Sequence, residues 1–135
     1  MDLRNLWVAG NVFTGTSSSA PVLVSADRGK VSHLDVRTVV NLSVTDNTAV
    51  SGSAVVFSGS TCSYCNSHGN DDAVLVGDTS IQVAPGYVQT SGTPQAWDFT
   101  LGAGSALIDA GDPSLLDADG STSDIGGFGG PDANW

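Results

Sequence analysis

Asn5-Leu6-Trp7-Val8-Ala9-Gly10-Asn11 returns as Asn41-Leu42-Ser43-Val44-Thr45-Asp46-Asn47, at an offset of 36 residues (41 − 5). Both copies keep Asn, Leu, Val and Asn at one spacing. Each then leads through a Ser-rich link into a short apolar run, Pro21-Val22-Leu23-Val24 after the first and Ala54-Val55-Val56-Phe57 after the second. Short β-branched strands joined by Asn and Gly turns and repeating in register are the signature of a β-solenoid. In that architecture side chains stack on the same position of the neighbouring coil, and an Asn at a bend takes the left-handed conformation and pairs with its neighbours. The alternative fold for the same strand count is an antiparallel β-sandwich.

Composition agrees with an all-β chain. Its 135 residues make one domain by length. All fourteen acidic residues are Asp, 17 residues are Gly, and charged residues make up only 13%. Asp favours turns and caps where Glu is at ease inside helices, so this choice of acid argues against helix. The first 37 residues carry 4 − 3 = +1 and the rest 0 − 11 = −11, for a net charge of −10. With no Lys or Arg beyond Arg37, a nucleic-acid backbone is excluded as a partner. No apolar run reaches the roughly 18 residues of a membrane helix. Met1-Asp2-Leu3-Arg4 leads straight into strand-like sequence, so the chain reads as a fragment of a longer solenoid with its signal and upstream coils elsewhere.

Outward from the echo, the strongest strand signal spans Val36 to Thr45. Val36, Thr38, Val40, Leu42 and Val44 fall on one face and Arg37, Asn41, Ser43 and Thr45 on the other, with Val39 interrupting the polar face. Gly59 to Asp72 reads as a loop. Ala73–Val76, Ile81–Val83 and Ala96–Leu101 read as short strands, separated by turns at Pro85-Gly86 and Ser91-Gly92-Thr93-Pro94. Coils are expected over 1–96, and a terminal strand with an Asp/Gly-rich cap over 97–135, within one domain.

The cap holds five Asp within sixteen residues, Asp109, Asp112, Asp117, Asp119 and Asp124, interleaved with Gly111, Gly120, Gly126 and Gly127. Calcium takes six to eight oxygens, and closely spaced Asp with Gly between them can fold around one, which makes Asp112, Asp117, Asp119 and Asp124 the candidate ligands. Asp-x-Asp-Gly also opens an EF-hand loop, but the terminal Glu is missing. The same carboxylates also suit turn capping, by accepting backbone N–H bonds, and Asp109 before Ala-Gly fits that role better.

Several pieces of the C-terminal half resemble the terminal coils of bacterial right-handed parallel β-helix repeat proteins of the choice-of-anchor Q type. They are Tyr64-x-Asn66 with Gly69-Asn70-Asp71, Ile81 to Tyr87, Trp97-Asp98-Phe99-Thr100-Leu101, Gly104 to Asp112, and Asp117-x-Asp119-Gly120-Ser121-x-x-Asp124-Ile125-Gly126. Ala106 stands where that family usually has Pro. The resemblance covers about residues 60 to 130. It implies a right-handed parallel β-helix, an exported or surface-attached protein, and a closing cap that hides the last edge of the solenoid.

Other constellations compete less well. Cys62-Ser63-Tyr64-Cys65 with His68 has too few ligands for a structural zinc site unless His33 or an Asp completes it, leaving zinc, a local disulfide or free thiols open. Arg28, Lys30, His33 and Arg37 are the one basic cluster, of the kind some β-helix polysaccharide lyases use beside calcium. Asp71 and Asp72 are adjacent and would point to opposite faces of a strand, a poor arrangement for flanking one glycosidic bond. Trp7, Trp97, Trp135, Tyr64 and Tyr87 could stack on sugar or fill a core. The expected function is a non-catalytic C-terminal module of an exported β-helix protein, structural, adhesive or glycan-contacting and stabilised by calcium. No catalytic or cofactor-binding residue is assigned. The alternative is part of a lyase or glycoside hydrolase acting on acidic polysaccharide.

Overall fold

The structure, a computed structural model, describes residues 2–9, 12–13, 24–25, 38–49, 57–58, 61–70, 79–93 and 96–131. Over these residues the protein is all-β, with no α-helix among them. In chain order the strands are β1 (Asp2–Ala9), β2 (Val12–Phe13), β3 (Val24–Ser25), β4 (Thr38–Thr45), β5 (Thr48–Ala49), β6 (Phe57–Ser58), β7 (Thr61–Ser63), β8 (Asn66–His68), β9 (Tyr87–Gln89) and β10 (Asp98–Leu101). No helix among the described residues is long and apolar enough to cross a membrane.

Parallel pairing dominates. β4 sits at the centre of one sheet, with β1 on one side and β7 and then β8 along the other. β2 pairs with β5 and β3 with β6, also parallel. β1 and β4 are joined in the register of the sequence echo, with Leu6 opposite Leu42 and Val8 opposite Val44. The 36-residue offset holds again for β2 and β5 (48 − 12), falls to 33 for β3 and β6 (57 − 24), and is 23 for β4 with β7 (61 − 38) and β8 (66 − 43).

A left-handed residue in the middle of β4 explains why its alternation looked imperfect. Asn41 has φ 55, a conformation Asn tolerates better than other non-glycine residues because its short polar side chain bonds locally. That one residue changes which parity faces inward. Val39 precedes the bend, Leu42 and Val44 follow it, and all three are fully buried. Tyr64 lies 23 residues on (64 − 41) and repeats the bend with φ 53, while Asp46 and Gly69 share positive φ at the same offset. At Gly69, with φ 64, a Cβ would meet the Asp46 carboxylate, which would have to swing aside, so glycine is favoured there.

Cys62 pairs with Val39, and the same offset sets Cys65 over Leu42 (65 − 42 = 23). The bend therefore turns two core positions toward one another, close enough to bond: Cys62 and Cys65 form a disulfide with their Cα atoms 6.0 Å apart. Two asparagines 23 residues apart (70 − 47) also pair. Asn70 Oδ1 accepts from the Asn47 backbone N–H at 3.0 Å and from Asn47 Nδ2 at 2.8 Å, and Asn70 Nδ2 donates to the Val44 carbonyl.

The reading of 59–72 as a loop is corrected by β7 and β8. Thr-Cys-Ser and Asn-Ser-His lack apolar alternation because the disulfide and Asn66 occupy their buried positions, and they are held by register with β4. Ile81 adds one parallel bridge to Asn66. The readings at Pro21–Leu23, Ala54–Val56 and Ala73–Val76 lie outside the described residues.

The polar face of β4 is buried too, although nothing in its own sequence required it. Asn41, Ser43 and Thr45 are fully buried. Asn41 Nδ2 donates to Ser123 Oγ at 2.7 Å, Asn41 Oδ1 accepts from the Asp112 N–H at 2.8 Å, and the Asn41 carbonyl accepts from the Gly126 N–H at 3.0 Å. Ser43 Oγ and Tyr87 Oη share a hydrogen bond at 2.9 Å. These bonds fix the C-terminal segment on β4. The segment keeps its own small core of Leu107 and Ile125, tied by the Ile125 N–H to the Leu107 carbonyl. Gly111 has no room for a Cβ, which would stand 2.5 Å from the Ser123 carbonyl and 2.8 Å from Asn41 Oδ1.

Asn41→Ala should lose both side-chain bonds and leave the Asp112 N–H unpaired, a cost of about 2–4 kcal/mol. Asn41→Gly loses the same bonds but keeps the backbone at ease, so its urea midpoint should lie between those of the alanine variant and the native chain. Equal midpoints for the alanine variant and the native chain would contradict this role for Asn41.

Candidate functional site

The antiparallel pair β9 and β10 leads the chain into the acidic segment. Tyr87, Trp97 and Phe99 pack edge to face, with ring centroids 5.2 Å apart for Tyr87 and Phe99 and 5.8 Å for Trp97 and Phe99. Burial raises the Tyr87 phenol above its ordinary value, against its bond to Ser43. These aromatics are therefore engaged with each other and with β4. The side chain of Trp7 and all of Trp135 lie outside the described residues.

Beyond β10 the chain folds into successive turns built on carboxylates. Asp112 Oδ1 accepts from the Ser114 N–H at 2.9 Å, Asp119 Oδ1 from the Ser121 N–H at 3.0 Å and from Ser121 Oγ at 2.6 Å, and Asp124 Oδ1 from the Asp109 N–H at 2.9 Å. Asp117 Oδ1 accepts from the Gly130 N–H. Asp112 and Asp119 take the N–H two residues on, which is how Asp stabilises a turn, whereas Asp117 and Asp124 tie together stretches 13 and 15 residues apart.

These turns surround a cavity of about 290 Å³. Its acidic wall is Asp109, Asp117, Asp119 and Asp124. Thr100 and Ser121 add hydroxyls, and Leu101, Ile108 and Phe128 form an apolar side. Three of the four candidate ligands, Asp117, Asp119 and Asp124, thus share one cavity, whereas Asp112 faces Ser114 outside its lining. Asp109 joins them, held at φ 54. Its place was hidden in the sequence because Asp109-Ala110-Gly111 looks like any turn, and linear spacing does not pair it with Asp124. Among the described residues, no three His, Cys or acidic side chains already converge as a metal-ligand set.

The carboxylates are not equivalent. Partial burial raises Asp124, the Asp109 N–H opposes the shift, and the charges of Asp117, Asp109 and Asp119 add to it. Asp119 moves the other way, lowered by the Ser121 hydroxyl and then by the Ser121 N–H. One cavity thus holds one carboxyl that keeps its proton longer and one that gives it up early.

The remaining candidates resolve simply. Cys62 and Cys65 bond to each other, so the thiol and zinc readings give way to the local disulfide, and His68 is exposed. Arg28, Lys30, His33, Arg37, Asp71 and Asp72 lie outside the described residues. Comparison of the chain with protein-family models, with curated proteins and with solved structures found no match.

Because folding raises the Asp124 value, its contribution favours the fold at pH values below the ordinary carboxylate range and is lost as pH rises through the raised value. Asp124→Asn keeps an acceptor for the Asp109 N–H and removes the charge. At pH 7 its thermal midpoint should rise by about 1–2 °C, a small effect because the site is part-exposed. The gain should fade near pH ~4, where the native carboxyl is itself protonated. A lower midpoint at pH 7 would show that the charge is needed there.

Proposed function

We propose that this chain is the closing part of a right-handed parallel β-solenoid in an exported or surface protein, serving as a non-catalytic structural module that contacts polysaccharide. The observation that carries the reading is the stacking of one bend on another. Leu3, Val39 and Cys62 fall in one register column, and Leu6 and Leu42 in the next, extended by Cys65 through the same offset. Parallel partners separated by 36 and then 23 residues, with left-handed bends in register, suit successive solenoid rungs and do not suit a sandwich of antiparallel hairpins. The resemblance to the choice-of-anchor Q proteins points the same way, and a disulfide fits an oxidising exterior.

In this reading Asp117, Asp119 and Asp124, with Asp109 beside them, hold calcium, and Asp112 acts as a turn cap. The ion would relieve the mutual repulsion that helps raise Asp124. Adding calcium to the EGTA-treated chain should raise its thermal midpoint progressively with concentration, by mass action on the folded state. The rise should be lost in Asp119→Ala. A midpoint that ignores calcium removes the ion from the proposal.

A second reading, a glycoside hydrolase, rests on the oppositely shifted carboxyls of Asp124 and Asp119 in one cavity, the division expected of an acid and its partner. Incubation with acidic polysaccharides separates the two. The module reading expects binding without new reducing or unsaturated ends. Release of new reducing ends without unsaturated ones, abolished by Asp124→Asn, establishes the hydrolase, and release of either kind of end overturns the module.

A further inference from the structure

The Cys62–Cys65 disulfide stands where the next segment of chain is laid down. Three bonds join residues 79–81 to the four residues it closes. The Tyr64 N–H donates to Thr79 Oγ1 at 2.8 Å, Ser80 Oγ donates to the Cys62 carbonyl at 3.3 Å, and the Ile81 N–H donates to the Cys65 carbonyl at 2.8 Å. Two more follow from β8: the Ser67 N–H to the Ile81 carbonyl at 3.1 Å and the Val83 N–H to Asn66 Oδ1 at 3.0 Å. Residues 79–83 thus rest on a template whose donors and acceptors are fixed by the bend at Tyr64.

That bend is held differently from its counterpart in β4. There the left-handed residue is Asn41, anchored through its side chain to Ser123 and Asp112. Here it is Tyr64, an aromatic residue for which φ 53 is far less favourable, and the covalent bond between its flanking cysteines stands in place of an anchoring Asn. We propose that the Cys62–Cys65 disulfide is a redox-operated clasp that holds residues 79–83 in place while oxidised and releases them when reduced.

Opening the clasp takes a dithiol reductant. One of its thiolates attacks a cystine sulfur, the cystine S–S bond breaks, and a mixed disulfide forms with the other cysteine leaving as thiolate. The second reductant thiol then displaces the attached cysteine, so the dithiol becomes a disulfide and Cys62 and Cys65 each take up a proton. Two electrons pass from reductant to protein. Cys62 is 1% exposed and Cys65 is 0%, so the reductant reaches them only through local opening of the fold. The clasp thereby stays shut in the folded, oxidised chain.

The test is residue-resolved amide exchange on the full chain, oxidised and after reduction by dithiothreitol in denaturant and refolding under the same reductant. The amides of Ser67, Ile81 and Val83 should exchange about tenfold faster or more in the reduced chain, while those of β4 keep their protection. Reoxidation should restore the slow rates. The double variant Cys62→Val/Cys65→Leu copies Val39 and Leu42, filling both positions without a bond, and should exchange like the reduced chain. Unchanged rates on reduction overturn the proposal, as does a double variant that matches the oxidised chain, which would reduce the cysteines to packing. Loss of protection throughout β4 overturns it too, because the bond would then support the whole fold and not one segment.

Discussion

The rest of the structure depends on a change of parity within one strand. A regular β-strand shows one face to the core and the other to whatever lies outside. β4 instead carries a left-handed residue at its centre, so its core positions are Val39 before the bend and Leu42 and Val44 after it. The partners that follow β4 in the chain repeat that change. β7 and β8 do so around Tyr64, which is why the chain there is divided into two short strands. The disulfide follows from the same geometry, since two positions on either side of such a bend face one another across a short gap.

Asn41 belongs to both sides of the molecule. Its backbone sets the bend and its side chain receives the C-terminal segment through Ser123 and Asp112. A buried amide with both ends bonded specifies position as well as adding stability, because any shift of the segment leaves polar groups unpaired. Gly111 makes the approach possible by offering no Cβ at the contact. The acidic turns are thus held in place by the strand that the amino-terminal repeat defines, and the cavity between them inherits its shape from that docking.

Much of this was written in the sequence, but unevenly. The 36-residue echo contained the pairing of β1 with β4, because both copies keep Leu and Val at the positions that pair, Leu6 with Leu42 and Val8 with Val44. The 23-residue step was hidden, since β7 and β8 replace the apolar pair of β4 with cysteines and expose His68, leaving no periodicity to read. The Asp cluster was legible as turn chemistry, and each of Asp112, Asp117, Asp119 and Asp124 does accept a backbone N–H. Which carboxylates share a cavity was not legible. Asp109 enters through a turn brought beside Asp124, and Asp112 leaves through one turned toward Ser114. Linear spacing carries no record of either.

The uneven offsets have a consequence for how such a chain can vary. Between β3 and β4 lie twelve residues (26–37), and between their partners β6 and β7 only two (59–60), a difference of ten. A further three are lost between the β2–β5 and β3–β6 pairings, where the offset drops from 36 to 33. Parallel pairing holds on both sides of these stretches despite their unequal lengths. Loop-closure entropy rises by only about 0.6 kcal/mol for each doubling of a flexible connection. The number of residues between paired strands can thus change by ten while the pairing on either side is kept.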